Sequence, residues 1–156
     1  MIRVLFICMG NICRSPMAEG VFRQLVAQSG LSDQFEIDSA GTINHHAGEP
    51  AHRGTRLILE QNGIHYDGRS RQVTDSDLTY FDYLIVMDEE NYHDVQRLAG
   101  RRSASPELHR LLDFAPDTTI REVPDPYYSG GFDQVYQLVL AGCRGLLAHI
   151  RAEHGL

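Results

Sequence analysis

The stretch from Ile2 to Pro16 constrains this chain more than any other part of it. Ile2-Arg3-Val4-Leu5-Phe6-Ile7-Cys8 is a nearly continuous aliphatic and β-branched run, the pattern of a strand buried on both faces of a parallel sheet. The run breaks at Met9-Gly10-Asn11. Pro16 then stands where a first helical turn tolerates a missing N–H, and Met17, Val21, Leu25 and Val26 recur at helical spacing as far as Gly30. Strand, tight loop and helix follow one another directly, as in the central βα unit of an α/β sheet.

The unit recurs. Phe35 to Ser39 predicts a second strand closed by Ala40-Gly41, and a helix around Thr55 to Gln61 is stopped by Asn62-Gly63. Phe81-Asp82-Tyr83-Leu84-Ile85-Val86-Met87 predicts a third strand, and the helix behind it opens on Glu89-Glu90 and reaches Leu98 and Gly100. A fourth strand is expected within Glu107 to Asp113, then a long loop to about Gly130. Phe132, Val135, Val139, Leu146, Leu147 and Ile150 mark a final amphipathic helix, in which Gly142 and Gly145 suggest close packing. Alternating strands and helices predict an open, mostly parallel, four-stranded α/β sheet flanked by helices. Ligands of such sheets bind beyond the carboxyl ends of the strands, so the loop after the first strand is where chemistry is expected.

A chain of 156 residues with 42% hydrophobic content can bury one proper core, and no linker or repeat divides it, so a single domain over residues 1–156 is expected. The formal charge of −7, from 14 Lys and Arg against 21 Asp and Glu, opposes nucleic acid and anionic membrane as partners. Any phosphate must therefore be held by a local trap. Cys8, Cys13 and Cys143 are too few, and odd in number, for a disulfide framework. The run Val4 to Met9 is short for a signal-peptide core, and no apolar stretch approaches the roughly 18 residues of a membrane helix. A soluble, cytoplasmic protein with reduced thiols is expected.

The loop reads Cys8-Met9-Gly10-Asn11-Ile12-Cys13-Arg14-Ser15 and runs into a helix N-terminus. Backbone N–H groups in such a curl can converge and, with the positive end of the helix dipole, form a nest for a dianion. Gly10 and Asn11 are residue types that accept left-handed backbone. The donors that hold a phosphate also favour a thiolate, which makes Cys8 a nucleophile. Arg14 offers a planar fork to two phosphate oxygens, and Ser15 can donate to the sulfur. A merely buried Cys8 would leave the Gly, Asn, Arg and Ser at these spacings unexplained. Asp125, between Pro124 and Pro126, is on local sequence either a turn residue or a carboxyl held over a distant pocket. Cys13 reads as a packing residue or as a disulfide partner for Cys8, and Cys143 as core. His45-His46 lack the companions of a metal site and read as surface loop residues, so no metal and no cofactor are expected.

The segment Cys8 to Pro16 resembles the signature C-x-G-N-I-C-R-S-P of low molecular weight protein tyrosine phosphatases. Met17-Ala18-Glu19, Ser39-Ala40-Gly41-Thr42, Arg71-Gln72-Val73, Phe81-Asp82-Tyr83, Met87-Asp88-Glu89 and Asp125-Pro126-Tyr127-Tyr128 follow in family order. The resemblance implies a flavodoxin-like or Rossmann-like sheet with a phosphate-binding loop after the first strand. It implies hydrolysis of phosphotyrosine through a phosphocysteine on Cys8, with Arg14 on the phosphate and Asp125 as general acid and then base. Met9, Gly10, Asn11, Ile12, Cys13, Ser15, Tyr127, Tyr128 and His45 would contact substrate, Asn11, Ser15 and Ser39 would brace the loop, and Cys8 and Cys13 would form a reversible disulfide. The implied partners are phosphotyrosine proteins, a bacterial tyrosine kinase among them, and a monomer is the default for a chain of this size.

Two positions depart from the resemblance. Relatives carry a histidine where this chain has Gly68, so either His65 reaches in from its neighbourhood or the loop amides and Ser15 support the sulfur alone. His45 stands where many bacterial relatives have an aromatic residue. Protein-arginine phosphatases of the same fold typically have Thr at the position of Ile12 and lack the paired tyrosines, and arsenate reductases need further mid-chain cysteines, which are missing here. A phosphate-binding or thiol redox module without turnover would have no use for Asp125.

Overall fold

The computed structural model describes residues 1–100 and 107–156. Strands β1 (Ile2–Cys8), β2 (Phe35–Gly41), β3 (Tyr83–Val86) and β4 (Glu107–Arg110) form one parallel sheet in the order β2-β1-β3-β4. β1 is interior, and its side chains alternate between two cores, as a strand covered on both faces must. Val4, Phe6 and Cys8 enter the core shared with α1 (Arg14–Gln28), α2 (Arg53–Gln61) and α6 (Phe132–His154). Leu5 and Ile7 enter the other core, with Leu78 of α3 (Asp77–Tyr80) and Val95 of α4 (Glu89–Ala99). The chain leaves β1 for β2 on one side and later crosses to β3 on the other. The carboxyl end of β1 is therefore the switch point of the sheet.

Most expected elements are found, with adjustments that have physical causes. β2 runs on through Ala40-Gly41 because Gly41 stays in register with Cys8 and donates to the Arg71 carbonyl at 2.8 Å. The third strand is shorter than its apolar run: Phe81 is buried below the ladder, and Met87 lies beyond it in the α1 and α6 core. α2 starts at Arg53 because His52 caps it, its Nδ1 accepting from the Gly54 N–H at 2.9 Å. The segment to Gly130 is not one loop. It holds a 3₁₀ turn at Leu111–Phe114 and a helical turn, α5 (Pro126–Ser129), capped by Asp125. Among the described residues no helix is long and apolar enough to cross a membrane.

α1 is unusual in that every residue from Arg14 to Phe22 is buried. A helix covered on all sides has no apolar stripe to read, and here polar side chains enter the interior because they have partners there. α6 packs against this helix, its Cys143 thiol 3.7 Å from the Ala18 carbonyl. Its two glycines allow the 3₁₀ turn to approach: a Cβ on Gly145 would lie 1.7 Å from the Phe114 carbonyl oxygen, and one on Gly142 would lie 2.6 Å from Leu111 Cγ. Helix propensity alone would make Gly145→Ala stabilising by about 1 kcal/mol. The contact reverses the sign, and urea unfolding of Gly145→Ala is expected to show a loss of about 1–3 kcal/mol. An unchanged or raised midpoint would refute the close approach.

Candidate active site

The loop between β1 and α1 curls around the Cys8 sulfur, which lies at its floor with the residue only 3% exposed. The curl is set by Asn11, whose φ of 55° is the left-handed conformation that Asn tolerates. Gly10, expected to share that role, does not have positive φ; it is small because His46 packs on it, and a Cβ there would lie 3.1 Å from the imidazole. The loop carbonyls are tied outward. Ser70 Oγ donates to the Gly10 carbonyl at 2.9 Å, the His52 N–H to Ile12 at 2.7 Å, and Thr55 Oγ1 to Cys13 at 2.9 Å. The Asn11 N–H donates to Cys8 Sγ at 3.3 Å. Among the described residues no protein acceptor takes the N–H of Gly10, Ile12, Cys13, Arg14 or Ser15. α1 has no acidic residue in its first turn, so its positive end faces the hollow uncompensated by its own side chains.

Beneath the loop lies a polar layer. The Asn11 carboxamide donates to Ser15 Oγ at 2.8 Å and to Ser39 Oγ at 3.0 Å, and its oxygen accepts from the Arg71 N–H at 3.0 Å. Ser15 Oγ is 3.0 Å from Cys8 Sγ. Ser39 donates onward to Glu19 at 2.6 Å, and Tyr66 donates to the same Glu19 oxygen at 2.8 Å. Asn11, Ser15 and Ser39 thus brace the loop, and the first two are not among the residues that line the hollow. Of the two alternatives at Gly68, His65 does not reach in: it borders a separate hollow with Gly20 and Gln24, and the groups at the sulfur are the Asn11 N–H and the Ser15 hydroxyl. The space at Gly68 is taken by Tyr66, whose hydroxyl comes so close that a Cβ there would be 2.4 Å away.

Arg14 is almost wholly buried and bound on its far side, with Nη1 donating to Asp88 Oδ2 at 2.6 Å and to the Val123 carbonyl at 3.0 Å. Asp125 Oδ2 stands 3.6 Å from Nη2. Burial works against the charge on Arg14, but the neighbouring Cys8, Asp88 and Asp125 more than offset it and hold the guanidinium protonated. Asp125 is both a cap and a pocket residue: its Oδ1 accepts from the Tyr127 N–H at 3.1 Å while Oδ2 faces Arg14. The walls are Met9, Ile12, Ile43, His45, His46, Tyr127 and Tyr128. His46, expected at the surface, is half-buried, and its ring lies 5.8 Å from that of Tyr127. Among the described residues one group has metal-ligating spacing, Glu107, His149 and Glu153, and it borders the amino end of β4, away from this loop.

Glu19, Tyr66, Asp88, Ser70, Thr55 and His46 were not foreseen as site residues. Glu19 and Asp88 lie inside segments that follow the family order, but nothing in their spacing separates them from surface acids.

Residues 3–155 match the low molecular weight phosphotyrosine protein phosphatase family. Over 157 aligned positions the chain is 50% identical to the low molecular weight protein-tyrosine-phosphatase YfkJ of Bacillus subtilis, with 100% of both chains covered. The crystal structure of YfkJ superposes with a TM-score of 0.94, covering 98% of this chain and 96% of that one. A protein tyrosine phosphatase of Entamoeba histolytica superposes at 0.92 with 35% identity over 99% of each chain, and a Drosophila arginine phosphatase at 0.90 with 30% identity over 96% and 98%. The chain belongs to the low molecular weight phosphotyrosine protein phosphatase family.

The three cysteines of this phosphatase are free thiols in different settings. Burial, followed by the Asp125 and Cys8 charges, pushes Cys13 up to about 12 despite Arg14. Burial alone pushes Cys143 up further. Both stay protonated at neutral pH, whereas Cys8 has the Asn11 N–H and the Ser15 hydroxyl at its sulfur. Brief treatment with iodoacetamide at pH 7.5 is expected to label Cys8 alone, and inorganic phosphate in excess is expected to slow it. Peptide mapping that finds Cys13 labelled first would contradict this ranking.

Proposed function

We propose that this chain dephosphorylates phosphotyrosine in proteins through a phosphocysteine intermediate. The observation that carries the reading is the Cys8 sulfur at the floor of unpaired N–H groups, with Arg14 beside it and Asp125 across the opening. A phosphate seated there would have its equatorial oxygens on the loop amides and on the Arg14 fork, donors aimed where charge gathers in the transition state. Cys8 attacks phosphorus, the bond to the phenolic oxygen breaks, and Asp125 gives that oxygen its proton. A tyrosine leaves with a conjugate acid of pKa about 10, so without the proton the step is slow. Water then attacks the phosphocysteine with Asp125 taking its proton, the S–P bond breaks, and Ser15 donates to the departing thiolate.

Depth supports tyrosine over serine. The sulfur lies below walls of Ile43, His46 and Tyr127, and an aryl ester reaches a buried nucleophile that a short seryl ester cannot. Tyr127 is half-exposed and Tyr128 largely so, which suits Tyr127 as the ring wall and Tyr128 as the rim beside His45. We infer metal-independent turnover by a monomer on phosphotyrosine proteins, a bacterial tyrosine kinase among them. Cys13, in the same loop, is read as the thiol that closes a reversible disulfide on oxidised Cys8. The likeness to an arginine phosphatase supports phosphoarginine as the alternative substrate, with Ile12 and the paired tyrosines favouring phosphotyrosine.

The test is hydrolysis of an aryl phosphate and of phosphotyrosine, phosphoserine and phosphoarginine peptides with EDTA present. Cys8→Ser is expected to abolish turnover. Asp125→Asn is expected to lower kcat roughly 100-fold or more on phosphotyrosine, and far less on aryl phosphates whose phenols are acidic enough to leave unaided. Absence of wild-type turnover under reducing conditions would remove the phosphatase reading, and a preference for phosphoarginine would replace phosphotyrosine.

A further inference from the structure

The polar layer under the loop fixes the direction of its own hydrogen bonds. The Arg71 N–H can only donate, so the Asn11 oxygen faces it and the Asn11 NH₂ must face Ser15 and Ser39. Ser39 then receives a hydrogen from Asn11 and sends its own to Glu19, a carboxylate that can only accept. Ser15 likewise receives from Asn11, and its one hydrogen is left for the Cys8 sulfur. The order holds as long as Glu19 accepts. Without an acceptor at Glu19 the Ser39 hydrogen would be free to point at the Asn11 NH₂, which the Arg71 N–H keeps turned toward it; that hydrogen bond would be lost, and the carboxamide would hold Ser15 at the sulfur less firmly.

Glu19 is 4% exposed, and a carboxylate so enclosed needs charge and donors around it. The groups facing it are Arg23, at 2.6 Å from Oε2, and the Ser39 and Tyr66 hydroxyls on Oε1. Arg23 is itself half-exposed, so the buried half of the carboxylate depends on the two hydroxyls. Burial and the Glu19 charge hold Tyr66 protonated, so it remains a donor at every working pH. The glycine at position 68 is what lets the phenol reach.

We propose that Tyr66 is a positioning residue for the nucleophile, holding Glu19 as the fixed acceptor that turns Ser39, Asn11 and Ser15 toward the Cys8 sulfur. The proposal rests on the phosphatase reading for its effect on turnover, but its effect on the thiol is separate. Two changes disturb the same hydroxyl in different ways. Tyr66→Phe removes it. Gly68→Ala keeps every hydrogen-bonding group and adds a methyl that pushes the phenol away, at a residue without positive φ where alanine is accepted.

The experiment measures kcat and KM on an aryl phosphate, and the rate of Cys8 alkylation by iodoacetamide across pH, for wild type, both single variants and the double variant. Thermal melts check that each is folded. Tyr66→Phe is expected to lower kcat roughly three- to tenfold with little change in KM, and to move the half-maximal pH of alkylation up by about half a unit. Gly68→Ala is expected to shift both in the same direction, and the double variant to go no further than Tyr66→Phe, since the methyl still crowds the ring but has no hydroxyl left to withdraw from Glu19. If Tyr66→Phe does not fold, Gly68→Ala carries the test. Alkylation profiles that superimpose on wild type in folded variants, or shifts that simply add in the double variant, would overturn the proposal. Loss of aryl phosphate turnover in wild type would instead remove the phosphatase reading, with the alkylation profiles still deciding the role of Tyr66.

Discussion

The Asn11 carboxamide is the joint on which the site turns. One residue in left-handed backbone bends the loop, donates its own N–H to the sulfur, and spends both amide hydrogens on the serines below. A carboxamide carries two N–H donors and an accepting oxygen in one rigid plane, and both donors and the oxygen are engaged at a buried residue. Aspartate in its place would have no hydrogens to give Ser15 and Ser39, and alanine would take a donor from both serine oxygens and the acceptor from the Arg71 N–H, as well as straining φ. Loop shape and proton direction are therefore one constraint.

A chain of net charge −7 must otherwise repel the dianion it is to bind. The solution is local. The positive end of α1, the unpaired loop amides and Arg14 converge on one hollow, and the carboxylates that neutralise Arg14 hold it mainly from outside. Asp88 serves twice, capping α4 through the Asn91 N–H at 2.8 Å and orienting the guanidinium with its other oxygen. A bound phosphate then gains a fork already aimed, so little side-chain freedom remains to be lost on binding.

How much of this was legible in the sequence follows from range. β1, the loop and α1 form a local pattern, and the family motifs along the chain carried the fold class and the loop residues with it. The Asp125 carboxyl was placed by resemblance and not by its flanking prolines, which are equally at home in a turn. What stayed hidden was long-range pairing of polar groups. Glu19 sits in a helix whose first turns are buried on every side, so no apolar stripe marks it as interior. Tyr66 reaches Glu19 across 47 positions of sequence, and Asp88 reaches Arg14 across 74. The vacancy at Gly68 could be seen but not its occupant, because a phenol two residues earlier fills it by direction of side chain, not by alignment. His46 was misread for the same reason: a loop histidine looks exposed until the ring it packs against is known.

The buried polar layer sets a demand on the rest of the fold. Arg14, Ser15 and Glu19 occupy the part of α1 that would ordinarily supply apolar contact, so the helix cannot be held by its own amphipathic face. It is held by its surroundings: Met17, Ala18, Val21 and Phe22 pack with β1 and α6 in the larger core. α6 in turn is seated by the approach that Gly142 and Gly145 permit against the 3₁₀ turn at Leu111–Phe114. The dipole that faces the hollow is thus aimed by a contact at the other side of the core. A helix so placed can give its first turns to chemistry because packing elsewhere fixes its axis, and this is why two glycines that weaken α6 by propensity are at home in it.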